Sequence, residues 1–286
     1  MLLIRLASLV VLMLAMLGPP PAAAQSVTTL GELLKRHDSG SCEGCHEGIH
    51  KEWKGSFHGR SIVQSLGSLR AYIDAVEKER KLPADKIQMM KCLDCHAPML
   101  NDASESVIKE IVGLVKTAVD DKDEVKKKAA REKLAGLSVN CTGCHTVKGT
   151  GNAMTPPDPK MLYGPTGAPA PHPTKASPVM QSSVMCSQCH SLWYAKDGES
   201  LYCTTIFESH QNAYRGMGGT QTCQDCHMKS RGHTFPGAHD QQLVKEGLTL
   251  SVGAIGYRHM AAGKYQPRVA VTVDVGNQAG HRIPDG

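Results

Sequence analysis

Cys42-Glu43-Gly44-Cys45-His46 is the stretch whose reading decides this chain. Two thiols stand three positions apart, and an imidazole follows the second at once. The same pattern recurs at Cys92-Cys95-His96, Cys141-Cys144-His145, Cys186-Cys189-His190 and Cys223-Cys226-His227. Ten of the 11 cysteines are used in this way. Cys-x-x-Cys-His is the attachment signal for c-type haem. Two thiols add to the two vinyl groups of one porphyrin, and the adjacent His becomes the proximal iron ligand. Histidine is 14 of 286 residues, about one in twenty, so chance alone would follow all five pairs with His less than about once in a million. Five covalent haems are therefore the expected cofactors.

Other uses of paired cysteines fit less well. Disulfides give no reason for a His after every pair. A structural zinc needs four ligands, and five pairs do not divide evenly into such sites. A thioredoxin-like motif occurs singly within a βαβ unit, and none is visible.

Composition agrees with this reading. The chain is 41% hydrophobic but only 4% aromatic. Aromatic rings normally supply much of a buried core, so a flat apolar porphyrin would have to fill part of the interior. The formal charge is +5, and no long Lys/Arg run suggests nucleic acid. Five haems would bring about ten propionates and could reverse that balance, so the charge identifies no partner.

The first residues read as an export signal. Arg5 gives a basic start, residues 6–17 are apolar, and Ala22-Ala23-Ala24 is a small-residue cleavage site. Pro19, Pro20 and Pro21 cut the apolar run short of a membrane span. Cleavage after Ala24 is expected, leaving an exported protein, periplasmic or extracellular, with no stable membrane span. The expected organisation is a signal peptide over 1–24, a pentahaem domain over 25–262, and a C-terminal β segment over 263–286 or the opening of a further domain.

The first cysteines of the motifs fall at 42, 92, 141, 186 and 223, a loose repetition without close self-similarity. With so little chain per haem, the haems are expected to lie close together. The expected fold is mainly α with long loops, packed around covalent haems, with a short C-terminal β segment. Residues 30–37 and 61–81 have helical composition, the second ending before Pro83. Residues 106–137 place Val107, Ile108, Ile111, Leu114, Val115 and Val119 on one side, with a break near Asp120-Asp121. The charge run 122–133 reads as a solvated helix face. Residues 149–178, rich in Gly, Pro and Thr, read as an irregular loop. Residues 266–275 alternate Val269, Val271, Val273 and Val275 with other side chains, a strand signal.

Nine histidines lie outside the motifs, enough to supply sixth ligands to five irons. His58, His172 (between Pro171 and Pro173) and His210 are the leading distal candidates. One of His233 and His239 is expected to ligate, and His50 and His281 are further candidates. His37 and His259 are the weakest. Met99, Met185 and Met228 lie near motifs, but Met is more often core filler. Cys203 is left over and reads as a buried thiol.

Three stretches resemble the cytochrome c-554-type multihaem family, which is related to hydroxylamine oxidoreductase and pentahaem nitrite reductase. They are Cys42 to His46 with Trp53, Ser56 and His58; Gly164-Pro165 to Pro171-His172-Pro173; and Thr222 to Met228 followed by His233, Pro236 and His239. The resemblance spans roughly residues 40–240. It implies a helical fold with haems in stacked and perpendicular pairs, and bis-His ligation with His58, His172 and His210 among the distal ligands. It also implies that the stretch from Val269 onward opens a β-rich domain. The nitrite reductases use a catalytic motif ending in Lys, whereas all five motifs here end in His.

Two functions are open at this level. The first is electron transfer through five haems between redox partner proteins, with self-association as one way to extend the conduit. The second is an oxidoreductase acting on a small nitrogen or sulfur oxyanion at one five-coordinate haem, with Lys229, Arg231 and Tyr257 as candidate helpers. The ample supply of sixth ligands favours the carrier.

Overall fold

The computed structural model describes residues 26–146, 161–191, 193–194, 200–201 and 205–285. The expected signal peptide, Cys203 and residues 149–160 of the expected loop lie outside them.

The chain opens with α1 (Leu30–Arg36), whose first turn is capped by the Thr29 hydroxyl accepting from Glu32 N at 3.2 Å. Next comes α2 (Gly40–Gly55), then α3 (Ser61–Gln64) and α4 (Leu66–Asp74), which runs on as a π turn over Ala75–Glu79. The run ends at Lys81, whose φ of 57° is left-handed, just before Pro83. Asp85 caps α5 (Lys86–His96) by accepting from Gln88 N at 3.0 Å.

The expected long amphipathic stretch is two helices, α6 (Glu105–Asp120) and α7 (Glu124–Ala135). The break falls at Asp121–Asp123, where the Asp123 carboxylate accepts from Val125 N and Lys126 N and starts the second helix. Val107, Ile108, Ile111, Val112, Val115 and Ala118 form the buried stripe of α6. Each fully buried aliphatic side chain there contributes roughly 1.5–3 kcal/mol. The charged run on α7 is largely solvent-exposed, as its composition requires.

Past α8 (Cys141–His145) the described structure is sparse. A short parallel pair, β1 (Leu162–Gly164) with β2 (Thr174–Ala176), lies inside the stretch expected to be irregular. Gly167 turns the connecting loop at a φ of 58°, so close to Ala176 N that a side chain would collide with the backbone. Then follow α9 (Val184–Ser187), the two-residue strands β3 (Trp193–Tyr194) and β4 (Ser200–Leu201), and α10 (Ile206–Ser209). After α11 (Cys223–His227) comes α12 (Gln241–Gly247).

The chain ends in an antiparallel hairpin, β5 (Leu248–Ala261) with β6 (Lys264–Asn277). Ala262 and Gly263 form its two-residue turn, both with positive φ, which matches the right-handed strand twist. The expected strand over 266–275 lies within β6. Its partner β5 starts at Leu248, on the N-terminal side of the expected 262/263 boundary.

Among the described residues, every buried hydrophobic side chain lies between Val27 and Val139. From residue 161 onward the buried side chains among the described residues are Ser177, Ser183, Ser187, Ser209 and His210. The two halves of the chain therefore have different interiors. The first is close-packed aliphatic, and the second is lined by hydroxyl and imidazole groups. No helix among the described residues is long and apolar enough to cross a membrane.

Candidate haem-binding site

Four of the five motifs lie on helical turns that end at or run through the His, and the fourth closes by turns after α9. Cysteines at i and i+3 and a His at i+4 share one helix face, so both sulfurs and the ring point the same way. Side-chain caps start two of these turns at the motif itself. Asn140 caps α8 by accepting from Gly143 N at 2.9 Å. Thr222 and Asp225 form a reciprocal capping box on α11. In the fourth motif, Cys189 N and His190 N both donate to Cys186 O, at 3.2 and 2.9 Å. In the first, α2 kinks at His46.

None of the ten motif cysteines is in a disulfide. Burial pushes the Cys144 thiol up to about 11, whereas the hydrogen bond with Cys186 pulls Cys223 down to about 5. Among the described residues no three His, Cys, Asp or Glu side chains converge as a metal cluster.

The motifs are neighbours in space. Cys42 lies beside Cys141, and Cys186 beside Cys223. Cys95 donates to Cys189 O at 3.9 Å. Cys144 is near both Cys186 and Cys189. The fourth motif thus sits between the second, third and fifth, and the first adjoins the third.

Three motif histidines face a second imidazole. His145 and His233 have ring centres 6.3 Å apart with planes 21° apart. His227 and His281 are likewise 6.3 Å apart, at 20°. His190 and His58 are 6.0 Å apart and perpendicular. One metal ion about 2 Å from a nitrogen of each ring sets ring centres roughly 6 Å apart, so these spacings fit iron held between two imidazoles.

The protonation pattern fits as well. His145 Nδ1 donates to Tyr163 O at 2.8 Å, His227 Nδ1 to Pro236 O at 2.8 Å, and His281 Nδ1 to Arg282 O at 2.8 Å. A carbonyl can only accept, so each ring carries a proton on Nδ1, and Nε2 is the nitrogen left to meet a metal. His96 Nδ1 is held by Ser65 Oγ at 2.8 Å and Ser61 O at 3.3 Å. Burial, with the neighbouring His190 and His227, pulls His58 down to about 4. Burial also lowers His190 and His233. Neutral imidazole is the ligating form.

The other candidates are placed differently. His239 packs flat on Phe57 at 4.8 Å. His50 is buried against Trp53 at 5.1 Å, with Glu43 3.4 Å from its Nδ1. His210 is buried; its Nε2 donates to Gln221 O at 3.2 Å and its Nδ1 accepts from Gln211 at 3.1 Å. His172, in the loop between β1 and β2, keeps a buried Nδ1 without a hydrogen-bond partner. His37 is buried beside Asp102 at 3.4 Å, and His259 is exposed on the hairpin. Met99 is fully buried in the aliphatic core. Arg231 pairs with Glu246 at 2.7 Å, and Tyr257 projects from the hairpin.

Several supporting groups escaped the sequence reading. Glu52 accepts from His233 N at 2.9 Å, and Trp53, singled out there only within the family resemblance, ties α2 to Val139 O through Nε1 at 2.8 Å. Ser61 and Ser65 left a usable signal, since hydroxyls four apart on a helix share a face. The carbonyls of Tyr163 and Pro236 left none.

No curated protein and no solved structure matches the chain. Residues 41–116, which hold the first two motifs, match the family model of cytochrome c554 and c-prime. That similarity, over the stretch whose paired thiols and imidazoles fit covalent haem, supports a c-type cytochrome.

Proposed function

We propose that the chain binds five covalent c-type haems and serves electron transfer outside the cytoplasm, between redox partner proteins. The observation that carries this reading is the facing of three motif imidazoles by a second imidazole at 6.0–6.3 Å. In this assignment His145 and His233 share one iron, His227 and His281 a second, and His190 and His58 a third. His46 and His96 are proximal ligands of the other two, with His50, His172, His210 and His239 as the remaining candidates for their far sides.

Bound haem supplies one-electron chemistry. The chain's own residues anchor, orient and space it. Each Nδ1–H···O=C bond fixes ring orientation and raises ligand basicity. The adjacency of thiols from different motifs keeps the sites close, as exchange between them requires. Imidazole on both faces leaves no open position for substrate, which favours a carrier over an enzyme at these three sites.

Haem counting on the intact polypeptide, together with electron paramagnetic resonance of the oxidised protein, tests the proposal. Five haems per chain and low-spin signals for at least three of them are expected. Fewer than five haems after maturation in a competent host would overturn the count. A spectrum dominated by high-spin iron would overturn the ligand assignment.

A further inference from the structure

The β5–β6 register sorts the hairpin into two unlike faces. Even-numbered residues of β5 pair with odd-numbered residues of β6 and share a side. That side carries Leu250, Val252, Val269, Val271, Val273 and Val275, all 53–68% exposed. Toward the turn, Met260 and Tyr265 continue it, and Arg258 is its one charge. The opposite side holds Ser251, Thr272, Asp274, Arg268 and Lys264, with Ile255 and Tyr257 as its exposed apolar side chains.

The hairpin is an arm fixed at its base. Gln278 N donates to Gly247 O at 2.8 Å, so the chain leaves and returns at one point. Beyond it, Arg282 N donates to Ser209 Oγ at 2.7 Å and Thr205 N to Asp285 at 3.0 Å, while His281 lies opposite His227. An isolated two-stranded hairpin is marginal in water, and this one is 14 residues long per strand. Its eight large apolar side chains are each at least half exposed and offer an area on the order of the 800 Å² that one partner contributes to a standard interface. A contiguous apolar patch of that size marks an interaction site.

We infer that this face is a self-association surface, covered by the same face of a second copy of the chain. Two such arms, related by a two-fold axis, form a four-stranded sandwich with the valine rows inside and the more polar rows in water. The surface is self-complementary because one row of aliphatic side chains meets its equal. A single Arg258 per arm can reach the rim through its long stem.

Sedimentation of the haem-loaded full-length protein tests this. The wild type is expected to be dimeric at micromolar concentration. The double variant Val252→Lys with Val271→Lys is expected to raise the dissociation constant at least a hundredfold, with an unchanged haem spectrum. Placing the same charges on the other face, Ser251→Lys with Thr272→Lys, is expected to leave the dimer intact. A monomeric wild type overturns the inference, whether hydrogen exchange finds the arm open or protected by its own body. So does a dimer that survives the first variant, and so does equal disruption by both variants.

Discussion

Glu52 and His233 are joined across 181 residues of chain: the Glu52 carboxylate accepts the His233 backbone N–H at 2.9 Å. Gly232 turns beside it at a φ of 57°, so near the carboxylate that a side chain would collide. The helix that carries the first motif therefore positions the imidazole that faces the third. Removing an acceptor from a charge-assisted bond costs about 1–3 kcal/mol. Glu52→Ala is expected to lower stability by that amount and to shift one low-spin resonance signal, while haem content stays constant. An unchanged spectrum would show that Glu52 only supports the fold.

His281→Ala removes the ring opposite His227. One site is expected to become five-coordinate, read as a new high-spin ferric signal and as CO binding by the reduced protein. His259→Ala, on the exposed arm, should do neither. CO binding of equal extent in both variants would refute the assignment of His281.

Leu93 is fully buried on α5, one residue after Cys92. Leu93→Ala leaves a cavity in a close-packed core, which typically costs about 2–5 kcal/mol. Chemical denaturation followed by helical circular dichroism should show a loss in that range. A loss under about 1 kcal/mol would mean that the site collapses around the smaller side chain.

Asp102 provides a test by pH. Burial alone would raise its pKa, but the neighbouring His37 and Arg36 outweigh that and hold it below its ordinary value of 3.8. A carboxyl whose folded pKa is depressed stabilises the fold above its unfolded pKa, and that contribution is lost as pH falls through the folded value. The wild type should therefore exceed Asp102→Asn by about 1 kcal/mol at pH 7. The gap should narrow only below about pH 4. A gap that stays constant down to pH 2 would mean that the carboxylate charge plays no part.

Helix positions and the break near Asp121 were legible in the sequence because each has a local cause: apolar period and capping carboxylate. The far-side imidazoles were less so. Residue type and neighbours put His58, His172 and His210 first, then one of His233 and His239, with His50 and His281 as further candidates. The structure turns His210 to Gln221 and His239 to Phe57. Which imidazole meets which motif is set by long-range packing, and no local pattern records it. Strand β5 was missed because Gly253, Ala254 and Gly256 dilute its alternation. Its partner, with four valines two apart, announced itself.

The confinement of aliphatic packing to residues between Val27 and Val139 has a consequence for biogenesis. Among the described residues, the part of the chain synthesised first can collapse on aliphatic contacts, whereas the part from residue 161 onward buries no aliphatic side chain. Under the haem assignment proposed above, the order of that later part is expected to follow haem delivery. Under iron scarcity, degradation is expected to trim the polypeptide from its C-terminal side and to spare a helical stub, so fragment size reports cofactor supply.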